Sequence, residues 1–533
     1  MRPTRLRLEL TRLLSSAKLT DCRALVACLS LGFFIRLIPE LLAFPFPIGF
    51  DTIHYAVVME SGVIWSHWSA FFTSSWLLYA FIVPLYSLLQ GDPFLLLKIV
   101  APLLFGLNVA GVYWFARRML GWDFRMGVLA GVFFALQLAS LRISWDLLRN
   151  TLGLGILLFA LSYVKEVNSK RGFALFASLS LLTIFAHEYA AVTLLVSVLG
   201  LLVWRLFKRQ VDSWSKRLTL AVLPALTVFL SGAYLRFFPV RYLLETNVIS
   251  AGDAVSAKPL GLFFMVDYLS VRSSVDYYAS YWTLAISVGV LFAVLYLPYL
   301  FLVVKGYFRN IVLSVWTGFL LIGAIGCLVV PFFALEYWHR WMFMLVYPFT
   351  FFAVSGFSKL SSKFAEGKFH FSSLFSNKKA ATMVLLTFSL GAAYLATPVL
   401  MVYANLSVPS VSGTYLYFST NPTVPYEDVN SVIQAMGWLN DNLDVTSCAA
   451  LQHAFVSWGK LYLDKSHAVV NFENDVDSAV DTAFEHGFSR VFFVWWNEPI
   501  GWYGVSVPDY FVSVQDFGRI SVYAYEGGIV SGS

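Results

Sequence analysis

The stretch FPFPIGFDTIHYA, residues 44–56, closes a long apolar run with two prolines and a glycine and then sets down Asp51, His54 and Tyr55. Proline removes a backbone donor and fixes its own φ, so a helix running through residues 24–46 must end here. That helix is long enough to cross a bilayer, for which about 20 apolar residues suffice. The acid therefore stands where the chain leaves a membrane.

The composition agrees with that reading. The chain has 533 residues, 59% hydrophobic and 13% charged, with a mean hydropathy of +0.71, whereas soluble proteins carry about 25% charged residues. Apolar runs recur at 24–46, 94–116, 126–143, 151–164, 172–187, 189–206, 218–237, 281–304, 311–332, 341–357 and 380–403. The expected fold is an α-helical multi-pass membrane bundle of about eleven transmembrane helices. The run WLLYAFIVPLYSLLQG, 76–91, is shorter and contains Pro84.

Basic residues orient the bundle, because Lys and Arg collect on the cytoplasmic side of short loops. They cluster in 1–23, at Arg117, Arg118 and Arg125, in 165–171 and 205–217, at Lys305 and Arg309, and in 359–379, which together hold 24 of the 33 before residue 404. All these clusters share one side if the chain crosses eleven times, with the N-terminus cytoplasmic. Segment 58–91 then lies in the opposite interface or dips in and returns, and its Trp65, Trp68 and Trp76 suit that zone. The basic start and the length of the first run favour a retained anchor over a cleaved signal peptide. Cys22, Cys28, Cys327 and Cys448 suggest no disulfide framework.

A second region begins near residue 404. From there to the end, 14 Asp and Glu face 4 Lys and Arg. Its pattern alternates, with helices expected at 426–443, 455–463 and 475–487 and strands at 447–452, 467–472, 490–496, 510–517 and 519–527. Such alternation predicts a small C-terminal α/β domain, placed outside the cytoplasm by the eleven crossings. The division expected is 1–403 for the bundle and 404–533 for this domain. Asn405 in the string NLS is a potential glycan acceptor beside the membrane.

The topology brings the remaining polar groups to one face: GFDTIHY with Asp51, RISWDLLRN with Asp146, Arg149 and Asn150, FAHEY with His187 and Glu188, the loop 238–280, and LEYWHRW with Glu336, His339 and Arg340. Ionisable groups at membrane depth are costly, so a cluster of them is first read as a functional site. Each also has a plainer reading. Asp51 alone would end a helix on the wet side. Asp146 and Arg149 would form a local ion pair at a helix start. His187 and Glu188 lack the second histidine of a zinc helix. His339 and Arg340 would anchor headgroups, and Arg36 and Glu40, four residues apart, would pair with each other.

On these strings the chain resembles the GT-C superfamily, multi-pass membrane glycosyltransferases that take sugars from polyprenyl-phosphate carriers, such as mannosyltransferases, aminoarabinose transferases and oligosaccharyltransferases. The resemblance covers roughly residues 24–357. It rests on PIGFDTIHYA, the interfacial segment that follows, SWDLLRNTLGL, AHEY and EYWHRWMFMLVYPFTFFAVSG. It implies a polyprenyl-phosphate-linked sugar as donor, a lipid, glycan or protein acceptor, membrane lipids as surroundings and no nucleic acid. Asp51 takes the position of the superfamily's catalytic acid. Asp146 matches the second acid, which in the oligosaccharyltransferase branch joins the first in holding a divalent cation such as Mg or Mn.

The chemistry of transfer asks for the same groups. A carboxylate must take the acceptor's proton, which suits Asp51. Positive charge must meet the departing phosphate, which suits Arg149, His339 and Arg340, since Arg binds phosphate in a bidentate manner. His54, Tyr55, His187, Glu188 and Glu336 would wall the site.

Two departures narrow the branch. The nearest string to the oligosaccharyltransferase WWDYG motif is WWNEP, 495–499, without its Asp and Tyr. Thr52 follows Asp51 where protein O-mannosyltransferases carry an acidic pair. Transfer of one sugar to a hydroxyl is favoured over transfer of an oligosaccharide to protein. A transporter or flippase is the reading from another class, but it calls for internal repeats and midplane polar residues, whereas no repeat is seen and the charges cluster at one face.

Overall fold

The prolines at 45 and 47 do end the first helix, which runs Pro3–Leu42, and Asp51 immediately precedes the next, Thr52–Ser61. The computed structural model describes residues 3–65, 68–237, 248–251, 281–329, 338–360, 377–396, 422–497 and 505–526. Among them, five helices are long and apolar enough to cross a membrane: Thr20–Leu42, Pro93–Arg118, Glu188–Phe207, Ser213–Leu235 and Trp338–Leu360.

Two further crossings are bent pairs. Phe124–Ala135 meets Leu138–Asp146 at 64°, and Val288–Tyr296 meets Leu300–Gly306 at 75°, for a total of seven if each pair is one span. The sequence led us to expect eleven, and lengths account for part of the difference. Runs 151–164 and 172–187 form Leu148–Ser162 and Lys170–Ala186, of 15 and 17 residues, or about 23 and 26 Å against about 30 Å of hydrocarbon. The runs 311–332 and 380–403 extend beyond the described residues. Helix Leu77–Leu89 has 13 residues, about 20 Å against about 30 Å of hydrocarbon.

Polar caps fix where several of these helices begin. Asp92 Oδ1 accepts from the Phe94 amide at 2.8 Å, with Pro93 opening the helix, and Asp123 Oδ1 accepts from Met126 at 2.8 Å. Helices Pro3–Leu42 and Pro93–Arg118 cross closely because each offers a glycine. A Cβ on Gly106 would lie 2.5 Å from the Leu29 carbonyl oxygen, and one on Gly32 would lie 2.8 Å from the Gly106 Cα. Buried Asn108 ties the bundle together, donating to the Thr151 carbonyl at 2.7 Å and accepting from Tyr347 Oη at 2.7 Å.

The C-terminal region contributes five strands of a six-stranded sheet, ordered β1-β3-β2-β4-β6-β5. The strands are β1 (Val248–Ser250), β2 (Ser447–Gln452), β3 (Ala468–Phe472), β4 (Arg490–Trp496), β5 (Val512–Asp516) and β6 (Ile520–Glu526). β1 to β4 pair in parallel, and β6 and β5 close the edge antiparallel. Parallel strands need crossovers, and β2, β3 and β4 are joined by helices His453–Tyr462 and Val476–Glu485. β1 comes from the loop between bundle helices and not from the C-terminal region, a pairing the alternation pattern did not suggest. The sheet meets the bundle through an aromatic seam, with Trp458 lying 6.5 Å from Phe46 and 6.1 Å from Phe94 between ring centroids.

Candidate active site

Asp51 is placed by what precedes it. Gly49 has φ +103°, a conformation other residues rarely adopt, and a Cβ there would lie 2.6 Å from the Asp146 Cβ and 2.7 Å from the Trp145 carbonyl oxygen. The turn thus lays the first loop directly on the end of helix Leu138–Asp146. Tyr55 Oη donates to the Asp146 carbonyl at 3.2 Å and fixes the start of helix Thr52–Ser61 to the same point.

Around Asp51 the structure gathers Asp146, Arg340, Arg149 and Arg142, each acting on its charge. Asp51 is half-buried. Burial and the neighbouring Asp146 carboxylate push its carboxyl above the usual range, and the three guanidinium groups pull the other way. Of the residues singled out from the sequence, Asp51, Asp146, Arg149 and Arg340 share this cluster.

The pairing inside it differs from expectation. Asp146 does not pair with Arg149. Both its carboxylate oxygens accept from Arg142, at 2.5 and 3.2 Å, one helical turn earlier. The helix break at Leu147 explains this, because Asp146 ends one helix and Arg149 opens the next on another course. Arg149 instead lies with its guanidinium carbon 5.7 Å from the Tyr79 ring centroid, and its Nε has no hydrogen-bond partner among the described residues.

The remaining candidates are more dispersed. His339 lies beside Arg340 and Arg142, its ring edge-on to Trp338 and Phe343. His187 is buried and caps helix Glu188–Phe207, its Nδ1 accepting from the Tyr189 amide at 3.2 Å. Glu188 is half-buried beside it, and His54 is exposed on the helix that follows Asp51. Glu336, most of the loop 238–280, Asn405 and the last two residues of WWNEP lie outside the described residues.

Sequence reading missed the supports of the site. Arg36 pairs with Glu40 at 2.8 Å, as their spacing predicts, but it also donates to the Ser144 Oγ at 3.2 Å and the Trp145 carbonyl at 3.5 Å. Lys98 donates to the carbonyls of Glu40 and Phe46, both at 2.7 Å. A buried network thus holds both sides of the Asp51 turn. Trp145 stacks on Tyr394 with centroids 4.0 Å apart. Arg142 was legible in RISWD from its (i, i+4) spacing to Asp146, whereas the reach of Lys98 was not.

The donor set suits a divalent cation poorly. No group of three His, Cys, Asp or Glu among the described residues could hold a metal ion. Of the two acids expected as ligands, Asp146 is engaged on both oxygens by Arg142.

No family model matches the chain, and no curated protein does. Among solved structures, the apo oligosaccharyltransferase of Archaeoglobus fulgidus superposes with a TM-score of 0.51 at 13% identity, over 89% of this chain and 70% of its own. Arabinofuranosyltransferase AftD from mycobacteria aligns with a TM-score of 0.49 at 13% identity over 94% of this chain, which spans 40% of that enzyme's length. The likeness to the archaeal structure, at 13% identity, is one of fold.

Proposed function

We propose that the protein is a membrane glycosyltransferase that moves a sugar from a polyprenyl-phosphate carrier to a hydroxyl of a lipid, glycan or protein acceptor. The observation that carries this reading is the convergence of Asp51 and Asp146 with Arg142, Arg149 and Arg340, from separate elements, at one end of a GT-C-type bundle. In this reading Asp51 takes the proton from the acceptor hydroxyl as its oxygen bonds to the anomeric carbon. The bond from that carbon to the phosphate oxygen breaks, and the phosphate leaves with its lipid. Arg149 and Arg340, with His339 beside them, meet its charge.

Burial that raises the Asp51 pKa makes it a stronger base than an exposed carboxylate. Tyr55, His54, His187 and Glu188 belong to the walls in this reading. The reading also takes the N-terminus as cytoplasmic, where the basic residues of 1–23 put it, and 404–533 as a second unit outside.

The test is sugar release from a panel of radiolabelled polyprenyl-phosphate sugars by the purified protein, supplied with lipid and glycan acceptors, beside Asp51→Asn. Consumption of one donor, lowered about 10²–10⁴-fold in the folded variant, supports the reading. Consumption unaffected by the substitution removes Asp51 from the reaction.

A further inference from the structure

If the cluster handles a lipid phosphate as proposed above, its charge balance decides whether a metal takes part. Mg²⁺ and Mn²⁺ bind through carboxylate oxygens completed by water and phosphate. The second acid is already engaged on both oxygens, Asp146 Oδ1 accepting from Arg142 Nη1 at 2.5 Å and Oδ2 from Nη2 at 3.2 Å.

The pair is shut away from solvent, with side chains only 6% and 5% exposed. Water therefore cannot take over either partner if the pair opens. For Asp146 to ligate a cation, the Arg142 guanidinium would be left buried beside a doubly charged ion. Removing the partner of a buried charge is among the costliest changes a protein interior can suffer. The backbone gives no slack either, since the Asp146 carbonyl is held by Tyr55 and its Cβ lies against the Gly49 turn.

The formal charge points the same way. Three guanidinium groups against two carboxylates leave one net positive charge around Asp51. That neutralises the single negative charge of a phosphodiester with no ion added, whereas a divalent cation would leave an excess of two. Guanidinium groups supply what a metal supplies elsewhere, namely charge and directed donors to phosphate oxygens.

We infer that Asp146 is the counter-ion of Arg142 and not a metal ligand, so that the centre engages the donor phosphate with Arg149 and Arg340 and takes no divalent cation. Arg142 is then a positioning residue. It holds Asp146 neutralised and leaves Asp51 as the one carboxylate open to the acceptor.

The experiment is Mn²⁺ binding to the purified full-length protein in detergent, followed by electron paramagnetic resonance and independent of any turnover. Wild type and Asp146→Asn should give the same titration, with no stoichiometric site that depends on Asp146. Arg142→Met releases Asp146, and a Mn²⁺ site should appear that Arg142→Met/Asp146→Asn loses again. A stoichiometric wild-type site abolished by Asp146→Asn overturns the inference, as does a folded Arg142→Met that gains none. Should Arg142→Met fail to fold, the comparison of wild type with Asp146→Asn decides alone. Donor consumption is then measured in EDTA and in Mg²⁺, with less than twofold difference expected. Absence of turnover in both defeats the functional reading and leaves the Mn²⁺ result standing.

Discussion

The imidazole of His453 lies nearly face to face with the ring of Phe50, centroids 5.9 Å apart and planes inclined by 23°. Phe50 immediately precedes Asp51, and His453 opens the helix that follows β2. His453 Nδ1 also lies 3.6 Å from Glu473 at the end of β3. The helix that follows β2 thus touches the residue next to the candidate base. Aromatic contacts of this kind contribute about 0.5–1.5 kcal/mol. His453→Ala should lower kcat by about 3–10-fold if that energy goes into holding the loop, and His453→Phe should restore it. Turnover kinetics with a melting curve for each variant check this; a loss shared equally by His453→Phe would show that stacking is not the cause.

Gly49 makes a sharper test of the same loop. Its φ of +103° disfavours any side chain, and an alanine Cβ would collide with backbone at Trp145 as well as with Asp146. Gly49→Ala should therefore push the loop off helix Leu138–Asp146 and separate Asp51 from the arginines. A loss of donor consumption of at least about 10²-fold is expected, as small displacements of a reacting group cost that much. Limited proteolysis near residue 49 should rise in parallel.

The sequence shows the ends of this arrangement better than its middle. Prolines at 45 and 47 mark the helix end, and the alternation in 447–526 places β2 and β4 at their observed bounds, because both signals are local. The break at 136–137 is less visible, since Gln137 alone interrupts the apolar run there and no glycine or proline marks it. β1 is hidden for another reason: its partner β3 is more than 200 residues away. At the site, Asp51, Asp146, Arg149 and Arg340 stand out as charges among apolar residues. The preference of Asp146 for Arg142 over Arg149 depends on the turn of the chain at Leu147, which residue type does not reveal.

Glu40 sits between two cations, Arg36 at 2.8 Å and Lys98 at 3.3 Å, all three buried. Glu40→Gln leaves both positive charges without a counter-ion and should destabilise the bundle by about 3–5 kcal/mol. Lys98→Met leaves the Arg36–Glu40 pair intact and should cost less, while freeing the Phe46 carbonyl that anchors the loop. The order Glu40→Gln worse than Lys98→Met is read from thermal unfolding in detergent. The reverse order would mean that the carbonyl contacts of Lys98 outweigh the ion pairs.

Asp428 gives the sheet region a pH signature. Burial pushes its carboxyl up to about 6, against 3.8 for the ordinary group, although the Trp496 indole donates to it at 2.9 Å. Between those two values the folded chain holds a proton that the unfolded chain has released. Stability from this group is thus complete below about pH 4 and falls as pH rises towards 6, the cost persisting at neutral pH. Asp428→Asn retains an acceptor for Trp496 but gives up the ion pair with Arg519, whose Nε lies 3.5 Å from Asp428 Oδ1, and should stabilise the region at pH 7 by on the order of 1 kcal/mol, with no gain at pH 4. Melting curves of both proteins at the two pH values check this. Equal gains at both would assign the effect to packing instead.

Asp51 should show its environment in the pH dependence of turnover. Its carboxyl is raised by burial first and by Asp146 second, against the pull of Arg340, Arg149 and Arg142. A base must be ionised to accept the acceptor's proton, so kcat/KM should fall as pH drops through a value above the ordinary carboxylate range of about 4. Replacing Arg340 by Gln removes the largest opposing charge. That change should move the acid limb to higher pH while also weakening donor use, visible as a higher KM for the polyprenyl-phosphate sugar. Arg149→Gln should move the limb the same way by a smaller amount, following the order in which the two groups act on Asp51. An acid limb that stays in place in both variants would show that the ionisation governing activity belongs to another group.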